Sequence, residues 1–334
     1  MFSSRRKQAL KTKFVVSALV LLAIIMLSIF AFLANQQVNT TSTNENVANL
    51  LPEITNCTVQ IGVPYSNDSN PYHLMDVYLP ESQGPFPAII YVHGGGWTSG
   101  SRSNFNYTAT FYAERGIAGF AVDYTLSTPN ETAWPDNIQD VVESVRFIRA
   151  NANLWNIDPN RLAILGYSAG AQLASLEGTL SGNESFIASS SGDAKIKSQV
   201  RLVVDYSGAT DLEYIGKYQT KSTIYNITTT ALGNVSYRTN PDLWVEASPA
   251  TYISSDDPIF CIIHGTSDMV VPIQVAQSFV AKLQAAGVET HFIKIPNGDH
   301  QILTNYNENL IARYSLEPLL KEVFHLDQPM PLTT

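Results

Sequence analysis

Ser168 lies in Leu162-Ala163-Ile164-Leu165-Gly166-Tyr167-Ser168-Ala169-Gly170, where an apolar run enters Gly-x-Ser-x-Gly and residues 171–176 follow with helix-forming character. That strand–turn–helix setting presents a serine hydroxyl on a sharp, strained turn. A hydroxyl is a weak nucleophile at neutral pH and needs a general base, itself oriented by a third group. For this kind of nucleophile the partners follow along the chain as an acid and then a histidine. Asp268 stands in His264-Gly265-Thr266-Ser267-Asp268, just after an apolar run, and is the expected acid. Asp256, Asp257 and Asp299 are the alternatives. His300 ends Asn297-Gly298-Asp299-His300, directly after the last expected strand. None of His73, His93, His264, His291 and His325 has that position, so His300 is the expected base, and His264 reads as a structural histidine.

Attack on a carbonyl creates an oxyanion, which preorganised N–H donors must meet. The amide after the nucleophile, Ala169, is one expected donor. The others are Gly95 and Gly96 of His93-Gly94-Gly95-Gly96-Trp97, whose lack of side chains lets their N–H groups face a substrate oxygen. Trp97 and Tyr167 flank these groups and are expected to bind substrate. No metal or cofactor is implied by this residue set.

The elements that must position these groups alternate. Residues 58–63 and 74–79 read as an antiparallel pair, and 88–92 as a strand buried on both faces. Residues 104–115 read as a helix, 117–124 as a strand, 136–151 as an amphipathic helix, and 161–165 as the strand before Ser168. Strands at 200–206, 259–264 and 290–295 follow, with helices at 273–286 and 308–324. Such alternation implies a doubly wound, mostly parallel α/β sheet whose functional groups gather at the carboxyl ends of its strands. Residues 207–247 form a longer connection after the sixth strand, carrying Tyr214, Tyr218, Tyr225, Tyr237 and Trp244. A connection of that length reads as a small lid-like insertion.

The 334 residues are 45% hydrophobic and carry a net charge of -9, enough for one large core and unsuited to nucleic acid as a partner. Arg5, Arg6, Lys7, Lys11 and Lys13 precede an apolar run from Phe14 to Ala34. That length suits a membrane-crossing helix, and the basic flank would stay in the cytoplasm. The expected organisation is therefore an anchor over 1–34, a polar tether over 35–54 and a catalytic domain over 55–328, outside the cytoplasm. Secretion after signal cleavage is the alternative. Sequons at Asn39, Asn56, Asn67, Asn106, Asn130, Asn183, Asn226 and Asn234 all follow the apolar run, as expected of an exported glycoprotein. Cys261 lies within an apolar run and reads as a core thiol rather than as the disulfide partner of Cys57.

From about Tyr72 to Phe324 the chain resembles α/β-hydrolase fold serine esterases with an HGGG oxyanion motif, the hormone-sensitive-lipase-like group. It looks closer still to the bacterial carboxylesterase, feruloyl esterase and arylformamidase-like branch. The likeness is carried by His93 to Trp97, Val122 to Leu126, Trp134 to Asp140, Ile157 to Arg161, Gly166 to Gly170, Ser248 to Ala250 and His264 to Pro272. The family usually has Arg where Thr125 stands, and Glu or His where Tyr167 stands. The resemblance implies a carboxylesterase acting through an acyl-enzyme; the expected substrate is a small-molecule or polysaccharide-linked ester, the latter fitting the expected location. Its rivals are a peptidase or arylformamidase-type amidase, and a hydrolase-fold binding protein without activity.

Overall fold

A computed structural model describes residues 51, 55–180, 196–304 and 306–326. The expected anchor, almost all of the tether, and the sequons at Asn39 and Asn183 lie outside the described residues. Among the described residues no helix is long and apolar enough to cross a membrane.

In chain order the strands are β1 (Cys57–Pro64), β2 (Leu74–Pro80), β3 (Phe86–Val92), β4 (Ala118–Val122), β5 (Ile157–Tyr167), β6 (Leu202–Tyr206), β7 (Ile259–Gly265) and β8 (Thr290–Ile295). Helix α1 (Asn106–Ala113) precedes β4, α2 (Asp136–Ala150) precedes β5, and α3 (Ala169–Leu180) follows it. Helices α4 (Leu212–Tyr218), α5 (Thr223–Ala231) and α6 (Pro241–Glu246) lie between β6 and β7, and α7 (Ile273–Ala285) and α8 (Tyr306–Phe324) flank β8. The eight strands form one sheet in the order β1-β2-β4-β3-β5-β6-β7-β8. Only the β1–β2 and β2–β4 pairs are antiparallel. This is the α/β-hydrolase fold.

Strand side chains alternate between faces, so a continuous apolar run feeds two cores. Ile90, Val92, Ile164, Val203 and Ile262 join one cluster with Val141 and Val145 of α2, Leu173 and Leu176 of α3, and Phe279 of α7. Ile89, Tyr91, Leu165, Val204 and Ile263 join the other with Tyr112 of α1 and Leu316 and Leu320 of α8. All seven residues of β3 are buried. Removing each large aliphatic side chain from water stabilises the fold by about 1.5–3 kcal/mol. Cys261 falls in the second cluster, and both cysteines are free thiols.

The 207–247 insertion is helical, and each helix starts on a side-chain cap. Tyr214 N donates to Asp211, Tyr225 N to Ser222 and Leu243 N to Asn240. Trp244 and Ile215 are fully buried in the same cluster as the sheet residues, so these helices are packed onto the body of the fold.

Candidate active site

The turn after β5 places Ser168 at φ 55, a left-handed conformation that costs energy for a residue with a side chain. Two contacts hold it there. Ser168 N donates to Tyr206 O at 2.8 Å, tying the turn to the end of β6. Gly170 lies so close to β3 that a Cβ on it would fall 2.1 Å from Val92 O. The result is a hydroxyl lifted clear of its own strand, with helix α3 starting directly beneath it.

The loop after β8 brings His300 to that hydroxyl, and Ser168 Oγ donates to His300 Nε2 at 2.9 Å. The loop after β7 supplies the acid: His300 Nδ1 donates to Asp268 Oδ2 at 2.8 Å. Asp299 instead accepts from Gln301 N and takes no part. Asp268 is buried, and its second oxygen accepts from Val270 N and Val271 N at 2.8 and 2.9 Å. Burial works against its charge. Hydrogen bonds from His264 and His300 outweigh it and hold the carboxyl well below the ordinary carboxylate range. The acid is therefore ionised across the neutral range, as a group that orients an imidazole must be. Tyr167 O–H donates to His300 O at 2.9 Å and its ring packs 5.4 Å from the imidazole, so it braces His300.

The glycine loop after β3 faces the serine. Gly95 adopts φ 123, and a Cβ there would lie 2.0 Å from Ser99 O, so only glycine fits. Gly95 O is turned away and accepts from Thr98 N and Ser99 N, both at 3.2 Å. Among the described residues, the amides of Gly95, Gly96 and Ala169 donate to no protein acceptor. All three line the same cleft as Ser168. The loop is clamped from behind. Tyr124 O–H donates to His93 O at 2.8 Å, and Arg102 bridges Asp76 and Asp123. Burial pushes the His93 imidazole down, which favours its neutral form.

The cleft has a volume of about 460 Å³ and is lined by every sequence-expected site residue except Asp268, which stands behind His300. Trp97 closes one side, its indole N–H donating to Gln172 Oε1 at 2.9 Å. Sequence reasoning missed several walls: Ile224 and Ile227 of α5, Val270, and the polar rim of Ser99, Asn104 and Gln301. The isoleucines had a readable signal, because Ser222 caps a helix on which they stand three residues apart. His264 proves structural, its Nε2 donating to Val271 O at 2.8 Å, but it also lies 3.4 Å from Asp268 Oδ2. Thr125 is tied by its amide to Asp140 at 2.7 Å.

The BD-FAE family model matches residues 75–283. This chain belongs to the BD-FAE family. Similar proteins include Esterase LipC of Mycobacterium tuberculosis, 28% identical over 71% of this chain and 58% of that protein. The acetylxylan esterase of Xylanibacter ruminicola is 27% identical over 68% of this chain and 43% of that protein. The chain thus spans about half the length of the curated relatives it matches. Among solved structures, a truncated carbohydrate esterase from gut microbiota is 27% identical, with a TM-score of 0.67 over 81% of this chain and 99% of that one. A thermophilic esterase of Thermogutta terrifontis shares the fold, with a TM-score of 0.64 at 23% identity over 85% of this chain and 97% of that one. In this chain Gly-x-Ser-x-Gly, the glycine loop and His300 line one cleft, with Asp268 behind His300.

Proposed function

We propose that this chain is a serine carboxylesterase whose nucleophile is Ser168. The observation that carries the reading is the continuous hydrogen-bonded line from Ser168 through His300 to the buried Asp268, at 2.9 and 2.8 Å. His300 takes the Ser168 proton as the oxygen attacks an ester carbonyl. The developing oxyanion lies toward the unpartnered amides of Gly95, Gly96 and Ala169. His300 then delivers its proton to the departing alcohol, and water resolves the acyl-enzyme by the same route. Asp268 keeps the imidazole in the tautomer that leaves Nε2 free to accept.

The substrate class is an ester on a carbohydrate or another polar alcohol. The apolar wall beside Gly96 suits the acyl group, and Ser99, Asn104 and Gln301 offer hydrogen bonds to a hydroxylated leaving group. The names of the acetylxylan and carbohydrate esterase relatives support this class. The apolar run 14–34 anchors the domain outside the cytoplasm, in keeping with exposed sequon asparagines at 56, 67, 106, 130, 226 and 234. An intact peptide covering residues 1–34 in the mature protein is the expected finding, and its loss would point to secretion.

Replacing Ser168 with Ala should lower kcat on short aryl and sugar acetates by roughly 10⁶ and abolish fluorophosphonate labelling. A folded Ser168→Ala protein that still hydrolyses these esters at the parental rate removes the proposal. A panel of peptide and formamide substrates should give rates far below those for esters.

A further inference from the structure

Across Trp97 from the catalytic cleft lies a second, much smaller space. It is lined by Trp134, Leu212, Thr228, Ala231, Leu232 and neighbouring groups, and its volume is about 10 Å³. That is room for about one water molecule. Thr228 Oγ1 lies on this lining, buried and, among the described residues, without a hydrogen-bond partner. Among the described residues, Trp97 alone lines both spaces.

Trp97 is held as a partition. Its backbone sits at φ 61, and Ser127 N donates to its carbonyl at 2.8 Å. The indole N–H is fixed by Gln172, whose own amide donates to Ala247 O at 2.7 Å. The residue is 4% exposed. The chemistry orients the substrate against it. A leaving alcohol must face His300, which protonates it, so the acyl group extends toward the opposite wall. That wall is apolar and is made by Gly96, Trp97, Ile224 and Ile227. Ile227 packs tightly there, its Cγ2 2.9 Å from where a Gly96 Cβ would stand.

We propose that Trp97 determines acyl-chain length. Its ring ends the acyl side of the cleft and restricts the enzyme to short acyl groups. The space behind it becomes an extension for medium-length alkanoyl chains once the ring is removed. This rests on the serine esterase reading.

The test is a p-nitrophenyl ester series from acetate to decanoate, comparing the octanoate-to-acetate ratio of kcat/KM. Trp97→Gly tolerates the positive φ and empties the partition, so the ratio should rise at least about tenfold, the lower end of what a methylene-sized change in an apolar pocket is worth. Adding Ala231→Phe, which refills the rear space without touching the cleft, should return the ratio toward the parental value. If Trp97→Gly does not fold by circular dichroism, Trp97→Phe must move the ratio the same way by a smaller factor. An unchanged ratio in a folded Trp97 variant overturns the proposal and leaves the esterase reading intact. A parental protein that hydrolyses no ester overturns both.

Discussion

Two buried carboxylates, Asp268 and Asp205, both feel His264, and their environments push their acidities in opposite directions. Asp268, in the loop after β7, receives His300, the edge of His264 and two backbone amides. Asp205, on neighbouring β6, receives Gly208 N at 2.7 Å and Ser175 Oγ at 3.1 Å. Burial pushes the Asp205 carboxyl up to about 6, even though His264, Gly208 N and Ser175 favour its ionised form. The same loss of water at Asp268 is outweighed by its donors, and that carboxyl falls well below the ordinary range. Depth alone therefore does not decide the charge of a buried acid; the number and kind of donors aimed at it do. The difference separates a group suited to orienting a catalytic imidazole from one that fills a structural niche.

The harshest break is Asp268→Asn. His300 would lose its anionic partner and its enforced tautomer, and kcat should fall by roughly 10³–10⁴. Stability should respond too. Because the folded value of Asp268 is depressed, its contribution is present above the ordinary carboxylate range and fades as pH falls toward the folded value. Urea midpoints of parent and variant should therefore converge in acid, and a constant gap would contradict the assigned charge.

Asp205→Asn should show the reverse slope. With a folded value raised to about 6, the parent keeps a proton that the unfolded chain releases. That contribution is full below the ordinary value and is lost as pH rises through about 6. The stability difference between parent and Asp205→Asn should thus shift in the variant's favour by up to about 3 kcal/mol between pH 4 and 7. A difference that does not vary with pH would mean Asp205 titrates normally.

His264→Leu removes a donor that Asp268 shares with Val271 O. At 3.4 Å this contact sits at the low end of the about 1.5–3 kcal/mol of a hydrogen bond to a charged group, so kcat/KM should drop roughly 10-fold. His264→Gln, which keeps an N–H near that position, should recover part of the loss. Equal rates for parent and Leu variant would reduce His264 to packing. The smallest effect belongs to Ser175→Ala. It should cost about 0.5–1.5 kcal/mol of stability by removing one donor to Asp205, with kcat unchanged. Loss of activity there would show that the two carboxylates are coupled.

Much of the site was legible because its parts are local. Gly166-Tyr167-Ser168-Ala169-Gly170 needs only the rule that a strained serine turn requires small neighbours. The triple glycine and the placement of Asp268 and His300 after apolar strands are equally local signals. The insertion was less legible. Its length and aromatic content suggested a cover, but Trp244 is buried with the sheet and the cleft-facing groups are the aliphatic Ile224 and Ile227. Aromatic residues at a surface connection do not say which of their faces will be covered. Tyr167 likewise announced a ring beside the nucleophile, while its hydroxyl reaching His300 O depends on a loop 133 residues away.

Periodicity, turn chemistry and chain order by themselves determined the alternating sheet, the strained serine turn and the candidate triad, because each signal is carried by residues adjacent in the chain. Tertiary structure decided the opposite acidity shifts of Asp205 and Asp268, that Trp97 separates two spaces, and that His264 lies against both Val271 O and Asp268. Those properties arise from desolvation and donor geometry among side chains distant in sequence, and they exist only once the strands are in register.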